Sequence, residues 1–136
     1  MEVVLDSNVF FRTIISGGKT TTLFFNKDLV LFAPEKLQEE FFKNREEICA
    51  KSSFSPEEFN ELAYLLFKRI NFISINEYRE FIPEAQKLLG SHTKDEDFIA
   101  LCIMKKIKLW TYEKLLIDLG FGISTLDISY GLDTLV

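Results

Sequence analysis

The sequence is poor in the side chains that build disulfides, zinc sites and imidazole chemistry. It has two cysteines and one histidine, too few for a disulfide framework or for paired Cys/His zinc ligands. Cys49 and Cys102 are far apart and read as buried free thiols of a reducing cytosol. His92 stands alone and reads as a surface or loop residue rather than a catalytic base. No apolar run nears the ~20 residues of a membrane span. Met1-Glu2-Val3 also lacks the basic stretch that precedes the apolar part of a secretory signal. A cytoplasmic protein with no membrane association is expected. Basic charge is short as well, with 16 Lys and Arg against 21 Asp and Glu and a net charge of −5. A passive nucleic-acid binder is basic, so this balance argues against binding phosphate backbones by bulk charge. Lys105, Lys106 and Lys108, and likewise Lys43 and Arg45, read as solvated helix ends.

What the chain does have is apolar surface. Hydrophobic residues make up 47% of 136, enough for one domain, 1–136, with a real core. Val3–Leu5 and Leu29–Ala33 are unbroken apolar runs, the pattern of strands covered on both faces. Phe72–Ile75, Ile107–Trp110 and Phe121–Thr125 read as further strands. Helical periodicity fills the gaps, over Ser7–Ile15, Thr20–Asn26, Pro34–Lys51, Ser55 onward, Glu77–Leu89 and Asp95–Lys106. Ser55-Pro56-Glu57-Glu58 has the hydroxyl, proline and glutamate of a capping box. Pro83 is expected to kink or break its helix, and Gly90 to end it. Strands alternating with helices predict an α/β fold, with a central, mostly parallel sheet flanked by helices on both faces.

Against this background four acidic motifs stand out: Val3-Val4-Leu5-Asp6, Pro34-Glu35-Lys36-Leu37-Gln38-Glu39-Glu40, Lys94-Asp95-Glu96-Asp97 and Leu109-Trp110-Thr111-Tyr112-Glu113. A carboxylate beside a core must be paired, protonated or metal-bound. In parallel α/β sheets, ligands sit beyond the carboxyl ends of the strands. Asp6 and Glu113 follow strands directly, Glu39 lies in the helix after one, and Asp95 opens the helix before one. All four can reach the same sheet edge. Oxygen-only ligands select Mg²⁺ or Mn²⁺ over zinc. Taken singly, the acids also admit blander roles, helix capping for Asp95 and solvent exposure for Glu39.

The motifs, in this order and spacing, resemble the PIN domain family of metal-dependent ribonucleases. Leu5-Asp6-Ser7-Asn8-Val9 is similar to that family's opening motif. Pro34 to Glu39 is similar to its second, a helical glutamate after the second strand. Asp95 to Glu113 is similar to an Asp-x-x-Phe-Ile-Ala-Leu helix followed by a strand that ends Ser/Thr-x-Asp. The resemblance covers nearly the whole chain and is strongest to the toxin components of toxin–antitoxin pairs. It implies that Asp6, Glu39, Asp95 and Glu113 hold Mg²⁺ or Mn²⁺ and act on RNA phosphodiester bonds. It also implies a small antitoxin that blocks the acidic cleft. Separately, the apolar content, with 14 phenylalanines, leaves room for an exposed patch used in self-association, and a homodimer is expected. Glu113 departs from the family's aspartate, which leaves a second expectation, a catalytically weak or inactive PIN-like module that binds RNA or a protein partner.

Neighbouring acids compete for two of these positions. Residues two apart on a helix differ by roughly 200°, so Asp95 and Asp97 cannot both face one site, and the family spacing to Thr111 implies Asp95. Glu39 and Glu40 both lie off the apolar stripe of Leu37, Phe41 and Ile48, and the family spacing from Ala33 implies Glu39. Two rival signals are weak. Gly17-Gly18-Lys19-Thr20 imitates the end of a phosphate-binding loop but has Thr13 where a glycine belongs. An aspartyl-phosphate site at Asp6 would need a second acid at position 8, which is Asn8.

Overall fold

The apolar runs form the interior of a five-stranded, wholly parallel sheet in the computed structural model, which describes residues 1–91 and 93–133. The expectation for His92 lies outside the described residues. The strands are β1 (Glu2–Leu5), β2 (Val30–Pro34), β3 (Ile70–Ile73), β4 (Lys108–Trp110) and β5 (Gly122–Ile123), in spatial order β3-β2-β1-β4-β5. Parallel neighbours need crossover connections, which as a class are almost always right-handed. Stepping from β1 through β2 to β3, the chain passes through α1 (Ser7–Ser16), α2 (Lys19–Phe24), α3 (Lys36–Lys51) and α4 (Pro56–Lys68). It then crosses back to β4 through α5 (Ile75–Tyr78), α6 (Ile82–Leu89) and α7 (Glu96–Lys105). The change of direction places the second group on the opposite face. There α7 packs on α5 and α6 and across β1, β2 and β4, while α1 packs on α3 and α4. Two further helices, α8 (Lys114–Asp118) and α9 (Thr125–Asp133), follow β4 and β5.

The buried side chains form one cluster that runs from Val3 to Leu132. Much of the chain's phenylalanine is spent inside it. Phe10 stacks on Phe67 at 5.2 Å and meets Phe41 edge-on at 5.7 Å, while Phe41 stacks on Phe59 at 5.9 Å. Each such pair adds about 0.5–1.5 kcal/mol beyond the area it buries, which ties α1 to the α3–α4 hairpin. Phe25 and Phe42 are exposed.

Local signals were largely obeyed. Ser55 and Glu58 form the capping box of α4, and Gly90 ends α6 with φ 60°. Three details differ. Pro34 ends β2 rather than opening a helix, and the N–H of Glu35 takes up the Ile73 carbonyl at 3.1 Å. The segment expected as one helix over 77–89 is α5, a 3₁₀ turn (Arg79–Phe81) and α6. Pro83 sits in the first turn of α6, where its missing N–H has no intrahelical partner to lose. β3 covers Ile70–Ile73 and stops before Ser74, whose hydroxyl accepts from the Asn76 N–H and caps α5. Cys49 and Cys102 are both free, but only Cys102 is buried and Cys49 is half-buried. Burial pushes the Cys102 thiol well above its usual range, so it is inert as a nucleophile. Among the described residues no helix is long and apolar enough to cross a membrane.

Candidate functional site

β1 is central in the sheet. The chain leaves it toward the α1–α4 face, whereas the crossover that delivers β4 lies on the other face. A crevice opens where such connections diverge, beyond the carboxyl ends of the strands. Asp6 stands at that point. Its N–H extends the β1–β4 ladder by bonding the Trp110 carbonyl at 3.0 Å. Asp6 as a whole is only 3% exposed. Thr111 follows β4 at the adjacent register position and donates its hydroxyl to the Asp6 carboxylate, at Oδ2, at 2.6 Å. The same hydroxyl oxygen accepts the N–H of Glu113 at 3.0 Å. One threonine thus couples the two strand-end acids.

Asp6, Asp95 and Glu113 share a position type. Each is the N-cap residue of its helix, α1, α7 and α8 respectively, and none caps with its side chain. An aspartate at an N-cap ordinarily accepts from the second or third N–H. Here the carboxylates are turned away from that role and line a cavity of about 280 Å³ together with Ser7, Asn8, Glu40 and Phe98, Lys36 and Lys94 completing the wall. The helix N-termini favour negative charge there, which offsets part of the repulsion among the acids. The Asp6 carboxyl is nonetheless pushed up from 3.8 to about 6. Burial is the main cause, opposed by the Thr111 hydrogen bond and reinforced by the charges of Asp95 and Glu113.

Asp6, Asp95 and Glu113 therefore come together. Glu39 does not join them. It is exposed and lines a neighbouring cavity of about 260 Å³ with Glu35, Tyr78 and Asp97, while half-buried Glu40 faces the carboxylate cavity in its place. Helix geometry explains the exchange. At about 100° per residue, Glu40 lies roughly 80° from the centre of the Leu37–Phe41–Ile48 stripe and Glu39 roughly 180° from it. The two glutamates are thus separable by periodicity after all, and the family spacing picked the outward one. Asp97 also points away, accepting the Tyr78 hydroxyl at 2.7 Å.

The donor set suits a hard divalent cation, since it consists of carboxylate oxygens. Two polar atoms of residues lining the cavity, Asp95 Oδ2 and Ser7 Oγ, are buried and have no hydrogen-bond partner among the described residues. The carboxylates do not yet form a closed cage. Among the described residues no group of three or more His, Cys, Asp or Glu side chains is placed to hold a metal ion. A larger hollow of about 870 Å³ on the α3–α4 hairpin mixes Lys43 and Arg45 with Glu46 and Glu47. It lacks a one-signed set of ligands.

A parallel α/β domain with recessed acids at its topological switch point is the class defined by this geometry. The PIN domain model matches residues 4–130, and the chain belongs to the PIN domain family. Among solved structures it is similar to a chain in the crystal structure of VapBC2 from Rickettsia felis bound to a DNA fragment from their promoter. The identity is 14% and the TM-score 0.68, over 91% of this chain and 97% of that one, a likeness of fold. No curated protein matches the chain by sequence.

Proposed function

We propose that the protein is a metal-dependent ribonuclease that hydrolyses RNA phosphodiester bonds with Mg²⁺ or Mn²⁺. The observation that carries this reading is buried Asp6 facing Asp95 and Glu113 across one cavity, with its carboxyl pushed up to about 6. Asp6, Asp95, Glu113 and Glu40 would hold the cation, with Glu40 in the role first expected of Glu39. A divalent cation supplies there a Lewis acid that activates water and offsets charge on an in-line phosphoryl transition state. The chain's own groups prepare the site. Thr111 fixes the rotamer of Asp6, and the α1 and α7 N-termini lower the penalty of clustering acids. The test is cleavage of RNA with Mg²⁺ or Mn²⁺, with and without chelator, by the protein and by Asp6→Asn. Chelator-sensitive cleavage that Asp6→Asn loses supports the reading.

The toxin role of a toxin–antitoxin pair is part of the proposal, supported by family membership and by the fold shared with a VapBC2 chain. The partner is a small antitoxin that sets a basic side chain among the carboxylates, where the field favours it. A cytoplasmic homodimer completes the reading. Exposed Leu119, Leu126 and Tyr130 offer apolar surface for self-association, and light scattering showing only monomer at micromolar concentration would remove it. A second reading, a catalytically weak or inactive module binding RNA or protein, is favoured by the open arrangement of the carboxylates and by Glu113. Metal binding without cleavage would select it.

A further inference from the structure

Although the chain is acidic overall, cations flank the carboxylate cavity on both sides of β1. On the β2 side stands Lys36, whose Nζ donates to the Lys94 carbonyl at 3.1 Å and lies 3.7 Å from Asp97 Oδ1. Lys36 lines both the carboxylate cavity and the adjoining Tyr78–Asp97 cavity, so it sits where the two meet. An ammonium has three donors, and these contacts engage two of them, one at long range. On the β4 side stands Arg12, one helical turn beyond Asn8. Its guanidinium lies 5.0 Å from the ring centroid of Tyr112, the residue between Thr111 and Glu113. The Arg12 guanidinium makes no hydrogen bond among the described residues, so stacking orients the group and leaves its donors available.

We propose that Lys36 and Arg12 mark the path of a single-stranded polynucleotide across the carboxyl edge of the sheet, each taking one backbone phosphate on either side of the phosphate that reaches Asp6. The inference rests on the ribonuclease reading of the cavity. β2 and β4 flank β1 in the sheet, so a strand joining the two cations must pass over the end of β1. Asp6 and Asp95 are buried at the foot of a recess of about 280 Å³. A flexible single strand can bend a phosphate into such a recess, whereas a regular duplex holds its phosphates on a rigid cylinder. The acids repel phosphate, and a cation on each flank gives the substrate footing that bulk charge denies it.

Binding of a labelled single-stranded RNA, followed by fluorescence anisotropy across a range of KCl, tests the path. An Asp6→Asn background prevents hydrolysis during the measurement. Each phosphate contact contributes about 0.7 to the slope of log Kobs against log salt for a single strand. Lys36→Met and Arg12→Met should each lower the slope by about 0.7, and the double variant by about 1.4. Lys36→Arg keeps the charge and should keep the slope. Slopes unchanged in folded Met variants, or a blunt duplex RNA bound as tightly as the single strand, would overturn the path. Cleavage by the unaltered protein is scored separately. Lowered slopes without any metal-dependent cleavage would uphold the path and remove the ribonuclease reading, and cleavage with unchanged slopes would do the reverse.

Discussion

Replacing Asp6 with asparagine should stabilise the metal-free protein at neutral pH and abolish its response to divalent cations. The residue is 3% exposed, and folding moves its carboxyl pKa from 3.8 to about 6, chiefly because burial penalises the charge. Each pH unit is worth ~1.4 kcal/mol, so keeping this group ionised costs the fold about 3 kcal/mol above pH 6. The folded state holds the proton more tightly than the unfolded chain. Stability contributed by this group is therefore greatest at low pH and falls as pH rises from 3.8 through about 6. Asparagine carries no charge at any pH, and its amide oxygen can still accept the Thr111 hydroxyl. A buried amide N–H₂ that is imperfectly paired takes back about 1 kcal/mol. The net gain is then about 2 kcal/mol at pH 7.5, or roughly 5–10 °C in Tm for a domain of this size, and it shrinks toward zero near pH 4.5. Calorimetric melts in chelator at both pH values measure it. Adding Mn²⁺ at 100 times its Kd should stabilise the unaltered protein by about 2.7 kcal/mol and the variant hardly at all. Loss of stability in chelator at pH 7.5, with metal stabilisation intact, would show that the Asp6 charge serves the fold and not a cation.

Glu40→Gln should weaken Mn²⁺ binding by titration calorimetry at least tenfold, with Glu39→Gln near neutral; equal effects would contradict the orientation of α3. Glu113→Asp shortens the side chain by one methylene and should raise RNA cleavage several-fold if reach limits the site, whereas lower cleavage would mean that the glutamate fits. Gly122→Ala would bring a Cβ to 2.8 Å from both Thr111 Cγ2 and Ile117 Cγ1. Such overpacking should destabilise the protein by about 1–3 kcal/mol in urea denaturation. A neutral result would mean that β5 and α8 yield easily, and that Thr111 is not pinned by its packing.

The parallel α/β fold was open to reading because a strand covered on both faces must be apolar throughout, and Val3–Leu5 and the run ending at Ala33 are just that. The Ser55 capping box and Gly90 were equally legible, since their partners lie within a few residues. Asp6 drew notice for the same reason, as a carboxylate at the end of a core strand. Other features hang on how elements pack. Pro83 was expected to kink or break its helix, and the structure sets it in the first turn of α6 instead. Periodicity sets Glu40 nearer than Glu39 to the apolar stripe of α3, but that Glu40 lines the carboxylate cavity and Glu39 the neighbouring one follows from how α3 packs at the sheet edge. Asp95 has the local signature of a helix cap, and its carboxylate is not used as one. The hydrogen bond from Thr111 to Asp6 joins residues 105 apart in sequence. Periodicity records which residues face inward, because burial is a property of each segment. Which of those residues meet is set by strand order and by the crossover from β3 to β4, which bring distant strand ends side by side.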